Sequence, residues 1–302
     1  MHRIIATVIC CVALVATPSP AAARSVHYDL PATGILLEGI GLDERSGVFY
    51  VSGVNDGGNV YRGRLGREQL ELWVDASGTT GRGIDVDDEG RVFVAGGPTG
   101  TVRIFDPDGT LLATVATGVT GSFLNDVSVG RDGSVLVTDS SLPRIWQVTQ
   151  SAGTWAISEW RDVSATISYT PSLTDFDLGG IVTTDRFVLT SQGTTGQLWR
   201  IDVSSKDIVE VDLGGAAIVN ADGIVLKGRK LWVVQNFSRQ ISEFRLQHDL
   251  ASAVLRDVES TPADRTLTTA KLARGRLLAV DSQFGFDPAA APADDRVISL
   301  HP

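Results

Sequence analysis

Residues 220 to 236 have the sequence NADGIVLKGRKLWVVQN. The apolar runs at 224–226 and 231–234 are short and rich in β-branched or aromatic residues, which is typical of strands. The junction at 227–230 contains a glycine and has the length of a tight hairpin turn. Asp222 stands just before the first run. The stretch therefore predicts a β-hairpin with a carboxylate at its start, and variants of it recur along the chain.

The recurrence is visible in the residue pairs that open six similar units. Successive pairs are separated by 44, 43, 54, 43 and 47 residues. A second and a third strand-like run follow each pair, and the first five units add a weaker fourth run. Six units of about 45 residues with four strands each predict an all-β fold, a six-bladed β-propeller. The opening pairs are Glu38-Gly39, Arg82-Gly83, Asn125-Asp126, Gly179-Gly180, Asp222-Gly223 and Thr269-Ala270.

A β-sandwich is the alternative architecture, but it does not explain near-constant spacing over the whole chain. No segment shows a sustained helical period, so we expect little helix. The sixth unit lacks a fourth strand of its own, and we expect residues 25–30 to supply it and close the ring without a free edge. The longer step of 54 residues is interpreted as a loop insertion around residues 155–171.

The first 23 residues have the pattern of a secretory signal peptide. His2 and Arg3 precede an apolar run at 4–16, and three alanines at 21–23 supply the small residues of a cleavage site. The apolar run is shorter than the roughly 20 residues that a bilayer-spanning helix needs. A buried N-terminal helix is the alternative interpretation. We predict a signal peptide at 1–23.

Cleavage there would leave one propeller domain at 24–302. Cys10 and Cys11 are the two cysteines of the sequence, so this domain would contain none. It would carry 25 basic and 36 acidic residues, and this net negative charge argues against nucleic acid and anionic lipid as partners. We expect a secreted or extracytoplasmic monomer that acts on a small-molecule substrate, without membrane insertion once the signal is removed.

Several kinds of active site find little support in the sequence. The histidines of the predicted domain are His27, His248 and His301, and none lies at the start of a predicted unit. A Ser-His-Asp arrangement or a histidine-rich zinc site is therefore not expected. The sequence also contains no glycine-rich phosphate-binding loop.

The residue that opens each inner strand of a propeller points into one mouth of the central channel. Residues that are distant in sequence should therefore meet there. Glu38, Asn125 and Asp222 would bring two carboxylates and one amide together, and such oxygen donors suit Ca²⁺, Mg²⁺ or Mn²⁺. The second strand of each unit returns to the same mouth, and its end supplies further candidates. These are Asn55, Asp139, Ser191, Asn236 and Gln283.

Each of these residues also has a structural interpretation. Polar groups at a channel mouth can hydrate the channel or bond to strand ends. Asn125 belongs to an Asn-Asp pair, which favours turns, and Asp139 is equally suited to ordering its own loop. Arg82 would either neutralise the acidic pair or bind an anionic substrate.

Three of these segments resemble signatures of the senescence marker protein/gluconolactonase family, to which regucalcin and bacterial sugar lactonases belong. They are LEGI at 37–40, FLNDV at 123–127 and NADGI at 220–224. The likeness extends over the whole predicted domain at the same six-blade spacing. The segment at 123–127, together with VTDS at 137–140, also resembles the strictosidine-synthase-like branch of the superfamily, in which some members work without a metal.

By that resemblance, Glu38 and Asp222 match the two acidic metal ligands of the family. Asp222 also matches its general base, and Asn125 matches an asparagine near the substrate. Gly179 stands where the family usually has an asparagine as third protein ligand. A metal in this chain would have to use Asn125, water or a neighbouring group instead.

These observations predict an exported hydrolase of a small lactone or ester that depends on a divalent cation, with Ca²⁺ expected before Mn²⁺, Mg²⁺ or Zn²⁺. Asp222 is the predicted catalytic residue, and Glu38, Asn125 and Asp222 are the predicted metal ligands. A non-catalytic, ligand-binding propeller and a metal-free enzyme of the strictosidine-synthase-like type are the alternatives. The predicted substrate-binding residues are Arg82, Asp139, Asn236 and Gln283.

Overall fold

The computed structural model describes residues 26–76, 78–170 and 176–301. These residues form six four-stranded antiparallel sheets, which confirms the predicted six-bladed β-propeller. The signal peptide predicted at 1–23 lies outside the described residues. Within the described ranges, no helix has both the length and the apolar character to cross a membrane.

Each of the first five blades consists of four consecutive strands, and the sixth blade takes its outermost strand from the start of the chain. Blade 1 contains β2 Leu37–Asp43, β3 Val48–Gly53, β4 Val60–Arg64 and β5 Arg67–Val74. Blade 2 contains β6 Ile84–Val86, β7 Val92–Ala95, β8 Thr101–Phe105 and β9 Leu111–Ala116. Blade 3 contains β10 Leu124–Val129, β11 Val135–Asp139, β12 Arg144–Ser151 and β13 Thr154–Asp162. Blade 4 contains β14 Leu178–Thr183, β15 Phe187–Gln192, β16 Gln197–Asp202 and β17 Ile208–Glu210. Blade 5 contains β18 Ala221–Lys227, β19 Lys230–Gln235, β20 Gln240–Leu246 and β21 Ala253–Ser260. Blade 6 contains β22 Leu267–Ala273, β23 Arg276–Asp281, β24 Val297–Leu300 and β1 His27–Tyr28.

The ring is closed by the N-terminal strand, as predicted. His27 of β1 lies opposite Ile298 of β24 in an antiparallel pair. The ring of Tyr28 meets Phe49 of blade 1 edge to face, with centroids 4.8 Å apart. The first described strand therefore joins the last blade to the first, and it covers the edge that β24 would otherwise expose.

The apolar core lies between the blades. In the described part of the chain it forms six clusters of buried side chains, one at each junction between neighbouring blades. Phe93 of blade 2, for example, packs with Val127 and Val137 of blade 3. Because each blade buries both of its faces in this way, burial of apolar area stabilises the ring as a whole.

One sequence interpretation of the longest unit was wrong. The sequence predicts a loop around residues 155–171, but residues 155–162 belong to β13, which pairs with β12 along its whole length. Trp155 packs edge to face on Phe93 of the preceding blade at 5.7 Å. The extra length lies after β13, between Asp162 and Leu178. The alternation of the large apolar residues Trp155 and Ile157 with small or polar neighbours is the strand signal.

The inner strands carry a local irregularity that positions the site. In five of them, a β-bulge inserts one extra residue immediately after the first residue of the strand. Glu38 and Gly39 together lie opposite one residue of β3 in this way. Bulges re-aim side chains, and here they turn one residue of each strand toward the channel.

The position of the bulge in the sixth unit shows that the predicted opening residue of this unit was wrong by one position. The bulge of β22 lies between Leu267 and Ala270, so the two residues that oppose one residue of β23 are Thr268 and Thr269. Thr268 therefore occupies the position equivalent to Glu38, whereas the repeat spacing predicts Thr269 there. The unit has Thr269 where four of the other five units have glycine, so its register was not visible in the sequence.

Candidate functional site

A cavity of about 710 Å³ lies where the starts of the inner strands converge. Five of the six predicted opening residues line it, and they come from blades 1 to 5. The sixth blade does not place its threonines in this wall. The five residues are Glu38, Arg82, Asn125, Gly179 and Asp222.

Hydroxyl groups fix the spacing of these residues by bridging neighbouring blades. Each donates a hydrogen bond to the backbone carbonyl of a residue at the equivalent position in the next blade. The backbone of the site is therefore held by these hydroxyl groups and not by the side chains that line the cavity. The bridges run from Ser52 to Arg82 (2.6 Å), from Thr138 to Gly179 (2.7 Å), from Ser191 to Asp222 (3.1 Å) and from Thr268 to Glu38 (2.8 Å).

The glycines that follow the opening residues allow this close approach. A Cβ atom on Gly39 would lie 2.4 Å from the carbonyl oxygen of Arg82. A Cβ atom on Gly180 would lie at the same distance from the carbonyl oxygen of Asp222. The glycines after the opening residues are thus required by the contact between inner strands and not by an unusual backbone angle.

Glu38 is a buried carboxylate with an unsatisfied oxygen. Its side chain is 5% exposed, and Oε2 has no hydrogen-bond partner among the described residues. Burial raises the pKa of Glu38 well above its usual value, and the charge of Asp222 raises it further. Arg82 acts in the opposite direction. A buried, unpartnered carboxylate oxygen in a cavity points to a ligand or a proton at this position.

Asp222 shares the cavity with Glu38 and is held by Asn236. The Nδ2 of Asn236 donates a hydrogen bond of 2.8 Å to Oδ2 of Asp222. Burial raises the pKa of Asp222 to about 7, although the hydrogen bond from Asn236 favours the charged form. A carboxylate with this pKa can accept and return a proton near neutral pH.

Arg82 is the cationic member of the site. Burial lowers the pKa of its guanidinium, while the charges of Glu38 and Asp222 raise it. Its guanidinium carbon lies 5.4 Å from the ring centroid of Phe123. Among the described residues, no carboxylate forms an ion pair with Arg82 within 4.0 Å, so its donors face the cavity without a close acidic partner.

Asn125 contributes an amide to the same wall. Its Nδ2 donates to the hydroxyl of Ser140 (2.7 Å), and Ser140 in turn donates to the carbonyl of Leu178 (2.5 Å). The side chain is 7% exposed. Its Oδ1 accepts no hydrogen bond from the described residues and is available to the cavity.

A second charged cluster lies next to the site on the inner strands. Lys271 of β22 forms an ion pair with Asp85 of β6 (2.9 Å), which spans the ring from blade 6 to blade 2. Burial raises the pKa of Asp126 to about 6, even though Lys271 lowers it. The charge of Asp126 also contributes to the raised pKa of both Glu38 and Asp222. Lys271 was not predicted from the sequence, because nothing in its sequence neighbourhood marks a channel position.

The predicted substrate contact of Asp139 is not supported. Asp139 is fully buried, does not line the cavity and accepts five hydrogen bonds. The donors are Ser122, Phe123, Ser141, Leu142 and Trp146. Gln192, at the equivalent strand end of blade 4, likewise accepts from Trp199 (3.0 Å). The loop-ordering interpretation of Asp139 is therefore the one that the geometry favours.

Gln283 is also placed away from this cavity. Its amide nitrogen donates to Asp281 Oδ2 (2.7 Å) and to the carbonyl of Asp264 (3.2 Å). It lines a separate depression with Arg265. Of the second-strand candidates, Asn236 lines the main cavity, Ser191 supports the backbone of Asp222 and Asn55 bonds to backbone groups of the segment before β2.

The aromatic residues of the cavity were not predicted from the sequence. Two of them were adjacent to predicted positions, because Phe123 lies two residues before Asn125 and Phe237 directly follows Asn236. The others lie on loops whose lengths vary between blades. The complete aromatic set is Phe123, Phe176, Phe237 and Phe284.

The predicted metal ligands can be tested against this geometry. Among the described residues, no three His, Cys, Asp or Glu side chains group together to hold a metal. The predicted set instead combines two carboxylates with the amide of Asn125, and the free Oε2 of Glu38 suits a hard cation. Gly179 adds no side chain, and Arg82 brings a positive charge beside the carboxylates. The donors therefore fit a divalent cation, but with few protein ligands.

Comparison with known proteins supports the fold. The sequence matches no protein-family model and no curated protein sequence. Similar solved structures include regucalcin from Agrobacterium tumefaciens, which is described as a calcium-binding protein. It is 15% identical to this chain, with a TM-score of 0.63, and the match covers 88% of this chain and 89% of that chain. A gluconolactonase from Xanthomonas campestris has 16% identity, a TM-score of 0.61 and 86% coverage of both chains. A streptogramin B lyase has 12% identity, a TM-score of 0.59 and coverage of 91% of this chain and 95% of that chain. The suspected relation to regucalcin and gluconolactonase is thus supported at the level of the six-bladed fold.

Proposed function

We propose that this chain is a hydrolase that opens a small lactone or ester in the cavity formed by the inner strands. One observation carries the proposal: Glu38, Asn125 and Asp222, from three alternate blades, line one cavity. Among the described residues, neither carboxylate has an ion-pair partner within 4.0 Å. Two unpaired, partly or fully buried acids in one cavity are typical of a catalytic or ligand-binding centre.

Asp222 is the general base of the proposed reaction. Its pKa of about 7 gives it an ionised fraction near neutral pH and a useful proton affinity. The oxygen of a water molecule attacks the carbonyl carbon while Asp222 takes the proton. The bond from that carbon to the leaving oxygen then breaks, and Asp222 returns the proton to the leaving oxygen.

Arg82 orients the substrate and stabilises the charge that develops on the carbonyl oxygen. Its donors have no close acidic partner among the described residues and lie in the same cavity as Asp222. Preorganised donors of this kind act most strongly where water is excluded. Glu38, Asn125 and Asp222 would hold a divalent cation, and a cation there supplies carbonyl polarisation and a more acidic water.

The experiment is an assay of the mature protein against lactones and carboxylic esters. It is run after chelator treatment and again with Ca²⁺, Mn²⁺, Mg²⁺ or Zn²⁺ added. We expect Asp222→Asn to lose about 10²–10⁴-fold in kcat/KM on any substrate that the wild type hydrolyses. Asp287→Asn, on an exposed turn, is the matched control. Equal activity of Asp222→Asn and wild type on every such substrate would falsify the assignment.

A non-catalytic ligand-binding propeller is the second candidate, and Gly179 favours it because the third family ligand is absent. Titration calorimetry with Ca²⁺ or Mn²⁺ discriminates between the two. Stoichiometric binding that Glu38→Gln abolishes supports the hydrolase, whereas no binding at millimolar metal supports the binding module. Turnover of a substrate other than a lactone or ester, without any metal, would instead support the metal-free enzyme.

Export is part of the proposal and rests on the sequence of residues 1–23. Expression of the full chain in a bacterial host should yield extracytoplasmic protein whose mass corresponds to cleavage after Ala23. Retention of the full-length chain in the cytoplasm would contradict it.

A further inference from the structure

The cavity that contains Glu38 and Asp222 has two chemically different parts. Two of its polar residues are deep, since Glu38 is 5% and Asn125 is 7% exposed. The outer wall is aromatic, and its rings come from loops of blades 3 to 6. They are Phe123, Phe176, Phe237 and Phe284.

Part of this aromatic wall is open to solvent. Phe176 is 45% exposed and Phe237 is 59% exposed, and Val219 beside them is 43% exposed. Phe123 packs against Phe176 with ring centroids 4.7 Å apart. Contiguous exposed apolar groups at the rim of a polar cavity mark a surface that a ligand covers.

Two polar groups of the same wall are engaged within the protein. The hydroxyl of Thr194 donates to Asp177, and the amide nitrogen of Asn220 donates to Ser238 (2.9 Å). A polyhydroxylated ring needs a partner for every hydroxyl that it buries, and an unpaired one costs binding energy. An aromatic or aliphatic ring instead gains from contact with the phenyl groups.

We infer that the substrate carries an aromatic or other apolar ring and is not a polyhydroxylated sugar. Its reacting carbonyl lies over Glu38 and Asp222, and its ring lies against Phe176 and Phe237. This inference rests on the proposed hydrolase function and specifies the substrate class of that site. It departs from the sugar lactones that the sequence resemblance implied.

The test compares three lactones with the same six-membered ring: dihydrocoumarin, δ-valerolactone and gluconolactone. Rates are divided by the uncatalysed hydrolysis rate of each compound. We expect kcat/KM for dihydrocoumarin to exceed that for gluconolactone by about 100-fold or more. Phe237→Ala should lower the dihydrocoumarin value about tenfold and leave δ-valerolactone within about twofold. Leu111→Ala, at a similarly exposed position on β9 outside the cavity lining, should change neither value.

A binding measurement separates this inference from the proposed function. Dihydroquinolinone, the lactam analogue of dihydrocoumarin, resists hydrolysis and is titrated into wild type and Phe237→Ala. Binding that weakens about tenfold in the variant supports the apolar site even if no lactone is hydrolysed, and only the hydrolase proposal then fails. Gluconolactone turnover equal to that of dihydrocoumarin overturns the inference and leaves the hydrolase intact. Lactam binding that is absent, or that is unchanged in Phe237→Ala, also overturns it.

Discussion

Asn236 connects the candidate base to the rim of the cavity. Its Nδ2 donates to Asp222 Oδ2 at 2.8 Å, and its Oδ1 accepts from the backbone N–H of Phe237 at 2.6 Å. The backbone N–H fixes which end of the amide faces Asp222. Asn236 therefore positions the carboxylate and favours its charged form, and the same loop carries the most exposed ring of the aromatic wall.

This relationship predicts a shift in the pH dependence of the proposed hydrolysis. Asp222 must be ionised to take a proton, so kcat/KM should rise with pH through the pKa of about 7. In Asn236→Ala the stabilising hydrogen bond is lost, the pKa of Asp222 rises and the ascending limb moves to higher pH, by about one unit. The measurement is kcat/KM against pH, with Ser238→Ala in the same loop as control. An unmoved limb, or one moved to lower pH, would contradict the role of Asn236.

Substitution of Asp222 should also stabilise the protein at alkaline pH. An aspartate whose folded pKa is raised binds its proton more tightly in the folded state than in the unfolded state. Its contribution to stability is thus present near about pH 4 and is lost as the pH rises through about 7. Asp222→Asn should raise the free energy of unfolding by about 1–3 kcal/mol at about pH 8 and by less at about pH 5. Urea unfolding at both pH values checks this, and an equal or opposite change at the two values would exclude the buried-charge explanation.

Two adjacent glycines provide a matched test of the inner-strand contact. A Cβ on Gly180 would lie 2.4 Å from the Asp222 carbonyl oxygen, whereas one on Gly179 would lie 3.2 Å from the Ala221 carbonyl oxygen. Gly180→Ala must displace the backbone of Asp222, and we expect a loss of about 1–3 kcal/mol in stability together with reduced activity. Gly179→Ala should cost less than about 1 kcal/mol. Thermal unfolding of both variants measures the difference, and similar melting temperatures would show that the inner strands adjust freely.

Substitution of Asp139 distinguishes a structural role, which affects stability, from a substrate-binding role, which affects KM. It accepts five hydrogen bonds in a fully buried position, so Asp139→Ala leaves buried donors without partners. We expect a loss of about 3–5 kcal/mol in the free energy of unfolding. Asp139→Asn, which keeps acceptor capacity, should lose less. A normal stability with a raised KM would instead restore the substrate-binding role predicted from the sequence.

The fold and the two carboxylates of the site, Glu38 and Asp222, were predictable because both follow from a repeated local pattern. A polar residue followed by glycine and an apolar run marked Glu38 and Asp222, and the blade spacing placed them around one axis. The pattern failed in the sixth unit, where Thr269 replaces glycine and hides the bulge. It also failed for Asp139, because the sequence does not show which donors surround a carboxylate. The aromatic residues at the rim of the cavity could not be predicted from this pattern, because Phe176 and Phe284 lie on loops that do not repeat.

Gly179 is the position at which cation binding can be increased by design. It lines the cavity between Asn125 and Asp222 along the ring, and the resemblance places an asparagine ligand there. A Cβ would meet the carbonyl oxygens of Ala221 and Asp222 at 3.2 and 3.4 Å, so a side chain fits after a small adjustment.

Gly179→Asn should therefore tighten Ca²⁺ or Mn²⁺ binding by about tenfold or more, because another oxygen donor joins the two carboxylates. Gly179→Ala, which adds the Cβ without the donor, is the control and should leave the affinity unchanged. Titration calorimetry measures the affinity, and the metal-induced rise in melting temperature gives an independent readout. Equal affinity in Gly179→Asn and Gly179→Ala would mean that the carboxylates do not form a cation site. The positive charge of Arg82 would then be the partner that Glu38 and Asp222 share.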